Sequence, residues 1–333
     1  MEKIVNNHGL PKEIVSAVQK DSYYQDADIG VTTLLDTPQI PYLLRRNDVE
    51  VEAADKIQSL LGSALHLILE MGNDDRANIV LRKSLELMQA LVNNNELYGN
   101  EGAVQTAIDT VDAYLKNCTT SGCIYEKRVY MKFDDFEVSG QFDKYDPETK
   151  TIEDYKVVSV FSYTNERILS GFFNQLNCYR AMMLNEGYEV ENMELHMFFK
   201  DFKKGQRGRD GYPDAPIVTV EVPVFDSDLI VKSMKNRVNL HKRARNGEHI
   251  ECTREEMWAT EDSYAVMREG GKRALGVFDT EMEASAFKDI KNPAYKNQLY
   301  VQYRPGKPIR CLDWCPVREV CSQRAEYLKK MQS

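Results

Sequence analysis

Two short stretches decide how this chain reads: Ser139-Gly140-Gln141-Phe142-Asp143 and, beyond an Asp146-Pro147-Glu148-Thr149 turn, Ile152-Glu153-Asp154-Tyr155-Lys156. Both are strand-like runs separated by turn chemistry, which makes them the arms of a hairpin. Asp143 ends the first arm and Asp154 stands on the second, so a turn near Pro147 brings the two carboxylates to the same end of a sheet. Side chains alternate across a strand, which sends Tyr155 to the opposite face and leaves Asp154 and Lys156 on one side. Two carboxylates and an ammonium then converge. Such oxygens hold Mg²⁺ or Mn²⁺; the ion activates a water and neutralises phosphate charge, while the lysine orients the water or stabilises the transition state. The pattern implies phosphodiester hydrolysis, although an Asp-x-Lys strand taken alone also reads as a solvated edge of alternating charge.

Outward from this hairpin the chain mixes elements. Ala54, Ile57, Leu60, Leu61, Leu65 and Ile68 recur at helical spacing, predicting a helix from Val51 to Met71 with a stop at Gly72-Asn73. Helices continue over 74–117. Strands follow at 124–133, 137–145 and 151–155 as an antiparallel meander, then a helix at 165–186, a strand at 193–200, a strand at 217–224 and a basic helix at 227–245. After Gly247 the pattern predicts a hairpin around Glu269-Gly270-Gly271-Lys272, a helix at 281–290 and a strand at 299–303. The expected organisation is an N-terminal wrap (1–50), a core (51–250) with a helical insert (73–118), and a small cysteine-rich module (251–333).

The composition sets the class. At 333 residues the chain allows two domains at about 150 residues each, and 42% hydrophobic with 29% charged residues excludes fibrous and wholly disordered proteins. No run approaches the eighteen apolar residues of a membrane span, and the start, MEKIVNNHGLPKEIV, lacks a signal-peptide core. The expectation is a cytoplasmic protein without membrane partners.

At five ordered positions the chain resembles the RecB-like branch of the PD-(D/E)xK nuclease superfamily, over residues 30–200. The family's Gly…His helix is matched by Gly62-Ser-Ala-Leu-His66, with Glu70 one turn later, and its first-strand glutamate by Glu126. Its Gly-x-x-Asp strand is matched by Gly140 to Asp143, its Asp-x-Lys strand by Asp154 to Lys156, and its Gln-x-x-x-Tyr helix by Gln175-Leu-Asn-Cys-Tyr179. The resemblance implies an α/β, restriction-endonuclease-like core: a mixed sheet flanked by helices, with a helical insertion. It implies Mg²⁺ or Mn²⁺ held by His66, Asp143, Asp154 and the Tyr155 backbone carbonyl, with Lys156 serving the water. Gln175 and Tyr179 would buttress that site or touch DNA. Glu126 is a secondary catalytic candidate that could instead pair with basic neighbours.

The net charge of −9 opposes phosphate binding only as a sum, since local distribution decides it. Lys203, Lys204, Arg207 and Arg209 form a basic loop, and Lys242, Arg243 and Arg245 end a basic helix; these are the expected DNA contacts. Seven cysteines are too sparse for a secreted disulfide framework. Cys311, Cys315 and Cys321 crowd together, and Cys252 is the best fourth ligand of a structural thiolate site, with Zn²⁺ the leading metal. The triplet also resembles that of RecB-like nucleases carrying a [4Fe-4S] cluster. In those the remaining cysteine precedes the core, whereas no cysteine here precedes Cys118; Cys118 or Cys123 could still complete a cluster. Cys178 reads as packed. The resemblance to phage-encoded members rests also on Val31-Thr32-Thr33-Leu34-Leu35 and the cysteine tail. The expected function is a metal-dependent DNA nuclease. First is an exonuclease of phage or bacterial replication, recombination or repair, acting with partner proteins of those processes and in the host cytoplasm if phage-encoded. The alternatives are a structure-specific endonuclease and a non-catalytic DNA-binding replisome scaffold.

Overall fold

The computed structural model describes residues 2–20, 27–73, 105, 108–110, 122–295 and 298–332. The expected helical insert therefore lies largely outside the described residues, as do Cys118 and the side chain of Glu70. The chain forms two compact units: residues 4–35 with 51–242, and residues 1–3 with 36–50 and 243–333. Residues 1–50, expected as one wrap, are shared between them.

The larger unit carries α1 (Lys12–Lys20), β2 (Ile29–Gly30), α2 (Val31–Leu35), α4 (Ile57–Asn73), β4 (Ile124–Phe133), β5 (Phe136–Asp146), β6 (Thr151–Val158), α5 (Phe161–Thr164), α6 (Glu166–Asn185), β7 (Asn192–Phe199), β8 (Ile217–Glu221) and most of α7 (Ser227–Arg245). β1 (Glu2–Val5) and β3 (Val49–Glu52) straddle the unit boundary, and α3 (Gln39–Arg46) belongs to the smaller unit. The predicted helix at 51–71 begins instead at Ile57. Before it, Val49-Glu-Val-Glu52 alternates buried and exposed residues with the period of a strand, and a 3₁₀ turn (Ala53–Lys56) links the two. Of the apolar residues at helical spacing, Leu61 and Ile68 are exposed. The strand expected to reach Val224 stops at Glu221, two residues before Pro223, which has no N–H for a ladder.

The six-stranded sheet is mixed. β6 and β7 run parallel, joined by α6, while β7 and β8, β4 and β5, and β5 and β6 are antiparallel. β5 is the branch point. Along one edge it pairs with β4 over its length; along the other it pairs with β2 at Val138 and Ser139, then with β6 from Lys144 to Asp146. Residues 140–143 fall in the fork between β2 and β6. A methionine-rich core of Phe142, Ile152, Leu176, Met182, Met183, Leu195 and Met197 packs α6 onto the sheet. Asn165 caps α6 by accepting from the Ile168 N–H at 3.1 Å. Among the described residues no helix is long and apolar enough to cross a membrane.

The smaller unit holds a three-stranded antiparallel sheet of β9 (Ser263–Arg268), β10 (Gly276–Phe278) and β11 (Leu299–Arg304), with α8 (Glu281–Lys291) packed on Val266, Phe278 and Leu299. A π-helical turn, Arg310–Trp314, carries Cys311, and α9 (Ser322–Gln332) follows Cys321.

Gly140 lets α6 approach the fork. A Cβ there would sit 2.7 Å from the Tyr179 ring and 3.1 Å from Val31. Gly140→Ala is expected to destabilise the protein by about 1–3 kcal/mol. Gly171→Ala, on α6 where an added Cβ meets nothing within 4 Å, should be neutral or stabilising by up to about 1 kcal/mol. Urea unfolding of the two variants measures the contrast.

Candidate metal centre

The register places three carboxylates on one rung. β4 and β5 pair Tyr125 with Lys144 and Lys127 with Phe142; between them the ladder lapses, and there Glu126 stands opposite Asp143. β5 and β6 pair Lys144 with Glu153, so one step further Asp143 stands opposite Asp154. The lapse is visible in the backbone. Glu126 adopts a left-handed φ of +48°, which costs a non-glycine residue on the order of 1–3 kcal/mol. Phe142 and Asp143 are both buried.

Above this rung α4 brings His66. Its Nδ1 lies 3.3 Å from Asp143 Oδ1 and 3.4 Å from Glu126 Oε1. The three donor atoms all fall within 4.8 Å of one another, as a shared cation requires. Each carboxylate is held by one oxygen and offers the other. Asp143 Oδ2 accepts the Tyr155 N–H at 2.7 Å, and Glu126 Oε2 accepts Gln141 Nε2 at 2.9 Å. His66 Nδ1 is buried without a hydrogen-bond partner. Burial works to lower the His66 pKa, yet the facing Asp143 and Glu126 carboxylates outweigh it and raise the value to about 10. The site thus attracts positive charge strongly, and one nitrogen with two carboxylate oxygens could hold a metal ion.

Asp154 is 1% exposed, and its Oδ2 lies 2.6 Å from Lys156 Nζ without the alignment of a hydrogen bond. Burial pushes its carboxyl pKa up, the Lys156 ammonium pulls it down, and Asp143 adds to the rise. Burial lowers the Lys156 pKa, but Asp154 and Asp143 more than compensate, so the ammonium stays charged. Asp154 stands outside the group of mutually close donors and is engaged with the lysine; Glu126, the secondary candidate, stands inside it. Tyr155 enters through its N–H. Its ring meets His66 edge-on with centroids 6.4 Å apart, stacks on His196 with centroids 5.1 Å apart and bonds through its hydroxyl to Glu153. The His196 hydrogen bond, with help from Lys144, brings the Glu153 carboxyl down to about 2 against the opposing effect of burial.

Gln175 and Tyr179 share one face of α6, with Gln175 Nε2 donating to the Tyr179 hydroxyl at 2.6 Å and lying 3.4 Å from Thr32 Oγ1. Tyr179 packs on Gly140 at the back of the fork. Lys203, Lys204, Arg207 and Arg209 are exposed on the loop that leaves β7. The other basic group is already engaged in part: Lys242 pairs with Asp135, Arg243 with Glu248, and Arg245 is half-buried. The spacing of motifs gave no sign of Gln141 as the partner of Glu126, because that contact depends on the cross-strand register.

In the smaller unit Cys311, Cys315 and Cys321 are buried and Cys252 is half-buried. Burial pushes the Cys252 thiol up to about 11, with the Thr37 hydroxyl, 3.1 Å from its sulfur, opposing and Cys311 and Cys321 adding to it. Burial likewise raises Cys311, which senses Cys315 and Cys321. The four thiols therefore form one neighbourhood, yet among the described residues no three of these sulfurs lie within 4.8 Å of one another. A single tetrahedral zinc draws its sulfurs to about 3.8 Å apart. Cys178, with its pKa pushed up to about 12 by burial, is packed in α6.

No known protein family matches the chain, and no curated protein does. Among solved structures it is similar to the crystal structure of SSO0001, at 14% identity over 70% of this chain and 87% of that one, with a TM-score of 0.38. It is also similar to a phage-related exonuclease from Haemophilus somnus 129PT, at 14% identity over 52% of this chain and 82% of that one, with a TM-score of 0.26.

Calorimetric titration with Mn²⁺ should show one site that His66→Ala and Asp143→Asn each weaken at least about tenfold. At a hundred times its Kd the ion should stabilise the unaltered protein by about 2.7 kcal/mol.

Proposed function

We propose that the chain is a metal-dependent DNA nuclease, with exonucleolytic digestion as its leading activity. The observation that carries this reading is the single rung of Glu126, Asp143 and Asp154, with His66 above it and Lys156 beside it. His66, Glu126 and Asp143 would hold the ion, with Asp154 completing its surroundings. When bound, a divalent ion supplies Lewis-acid polarisation of a phosphate oxygen and a more acidic water.

The chain's own residues do the rest. Lys156 remains an ammonium, so it donates rather than removes a proton: it orients the attacking water and neutralises charge that grows on the phosphoryl oxygens. The Tyr155 N–H keeps Asp143 in place during this step. The exposed Lys203, Lys204, Arg207 and Arg209 give the loop beyond β7 a positive surface suited to the phosphate backbone, which supports nucleic acid as the substrate despite the acidic total.

The test uses end-labelled linear DNA and closed circular DNA with Mn²⁺ or Mg²⁺. Loss of the linear substrate, survival of the circle, and a fall of at least about a hundredfold in Lys156→Ala and Asp154→Ala are the expected results. Nicking of the circle would make the protein an endonuclease. Binding without cleavage would leave a DNA-binding scaffold.

For the smaller unit we propose that Cys252, Cys311, Cys315 and Cys321 hold a structural metal group. Three thiols whose pKa values burial raises, Cys252, Cys311 and Cys315, with buried Cys321 beside them, suit a soft metal; Zn²⁺ leads and [4Fe-4S] is the alternative. Anaerobic purification should then give a colourless protein containing one zinc that Cys315→Ser loses. A brown protein with broad visible absorption would establish the cluster instead.

A further inference from the structure

Glu126 is the weakest-anchored member of the rung by its backbone, because its left-handed φ is one that only glycine adopts freely. Its side chain is nevertheless fixed. Gln141 Nε2 donates to Glu126 Oε2 at 2.9 Å, and Gln141 Oε1 accepts from Arg128 Nη2 at 2.9 Å. Arg128 Nη1 donates in turn to Ser139 Oγ at 3.2 Å, and Ser139 is fully buried. The register makes this rail local: Arg128 stands opposite Gln141 across β4 and β5, and Tyr130 opposite Ser139.

The direction of the rail matters. A glutamine amide can turn either end toward a neighbour, but a guanidinium has only donors. Arg128 therefore commits the carbonyl end of Gln141 to itself and leaves the NH₂ end for the carboxylate. With the amide reversed, its oxygen would face Glu126 and repel it. One Glu126 oxygen is thus held, and the other stays aimed toward His66.

We propose that Gln141 and Arg128 are positioning residues for the metal: Arg128 sets the orientation of the Gln141 amide, and Gln141 presents Glu126 Oε1 to the ion. The inference rests on the metal reading above and goes beyond it, since neither residue is itself one of the donors: Gln141 acts through the Glu126 carboxylate and Arg128 through Gln141.

The experiment measures Mn²⁺ affinity of the full chain by calorimetry and, separately, the Mn²⁺ concentration that gives half-maximal cleavage. Gln141→Leu should weaken both by ten- to a hundredfold, while the rate at saturating Mn²⁺ stays within a few-fold of the unaltered protein. Arg128→Met should act in the same direction and Arg128→Lys, which keeps a donor for Gln141, should restore part of the affinity. A general structural role would lower the thermal midpoint without moving the Mn²⁺ requirement, and that result overturns the proposal. So does unchanged affinity in Gln141→Leu where Glu126→Gln is weakened. If Gln141→Leu does not fold, the Arg128 pair decides, and equal affinity in Met and Lys variants overturns it. Absence of Mn²⁺ binding by the unaltered chain is a different failure, because it removes the metal reading itself.

Discussion

The hydrogen bond from the Tyr155 N–H to Asp143 Oδ2 stands where a ladder bond between β5 and β6 would otherwise continue, and the site depends on that exchange. Along one edge β5 changes partner from β2 to β6 within a few residues, so on that edge residues 140–143 have no neighbouring strand, while β4 pairs residues 140–142 on the other. Gly140 meets the Tyr179 ring, and Asp143 turns its carboxylate onto the backbone of β6. Phe142 packs in the core, and Asp143, also buried, meets His66 of α4.

That arrangement concentrates charge. Three carboxylates share one rung with a single ammonium, inside a region where burial already raises Asp154. A buried carboxylate without a partner is costly. Lys156 relieves Asp154, and the two hydrogen bonds to Asp143 and Glu126 relieve one oxygen of each. What remains, the Asp143 and Glu126 oxygens that face His66, is a negative pair that shares one imidazole between them. The strained backbone at Glu126 fits this picture, since strain concentrates at positions the surrounding structure over-determines.

Much of this was legible in the sequence because it depends on local periodicity. The strand at 124–133 and the helix at 227–245 have the predicted limits, and the 146–149 turn forms the hairpin read from it. The relation of Asp154 to Lys156 follows from strand alternation alone. What escaped depends on contacts between elements. The promotion of Glu126 over Asp154 within the donor group requires the β4–β5 register, and the role of Gln141 requires it as well. The start of α4 was misread for a different reason: Val51 and Ala54 fit both a helical and a strand pattern, and the preceding Val-Glu alternation with the turn at Ala53–Lys56 decides for the strand.

The two units solve the same electrostatic problem with different atoms. In the larger one, burial opposes ionisation of Asp154; in the smaller, it opposes ionisation of Cys252, Cys311 and Cys315. Ligand groups held in their neutral form pack cheaply, but they bind a metal only by giving up protons, so each proposed centre couples loading to pH and to folding. The thiols carry the larger part of that coupling, because their pKa values are raised from an already high starting point. At the rung the group that holds a proton in the way of a cation is His66, because the charge of Asp143 and Glu126 favours its protonated form. A bound cation would be held by the same residues, His66, Asp143 and Glu126, and would take up the charge that the two carboxylates now share with the imidazole.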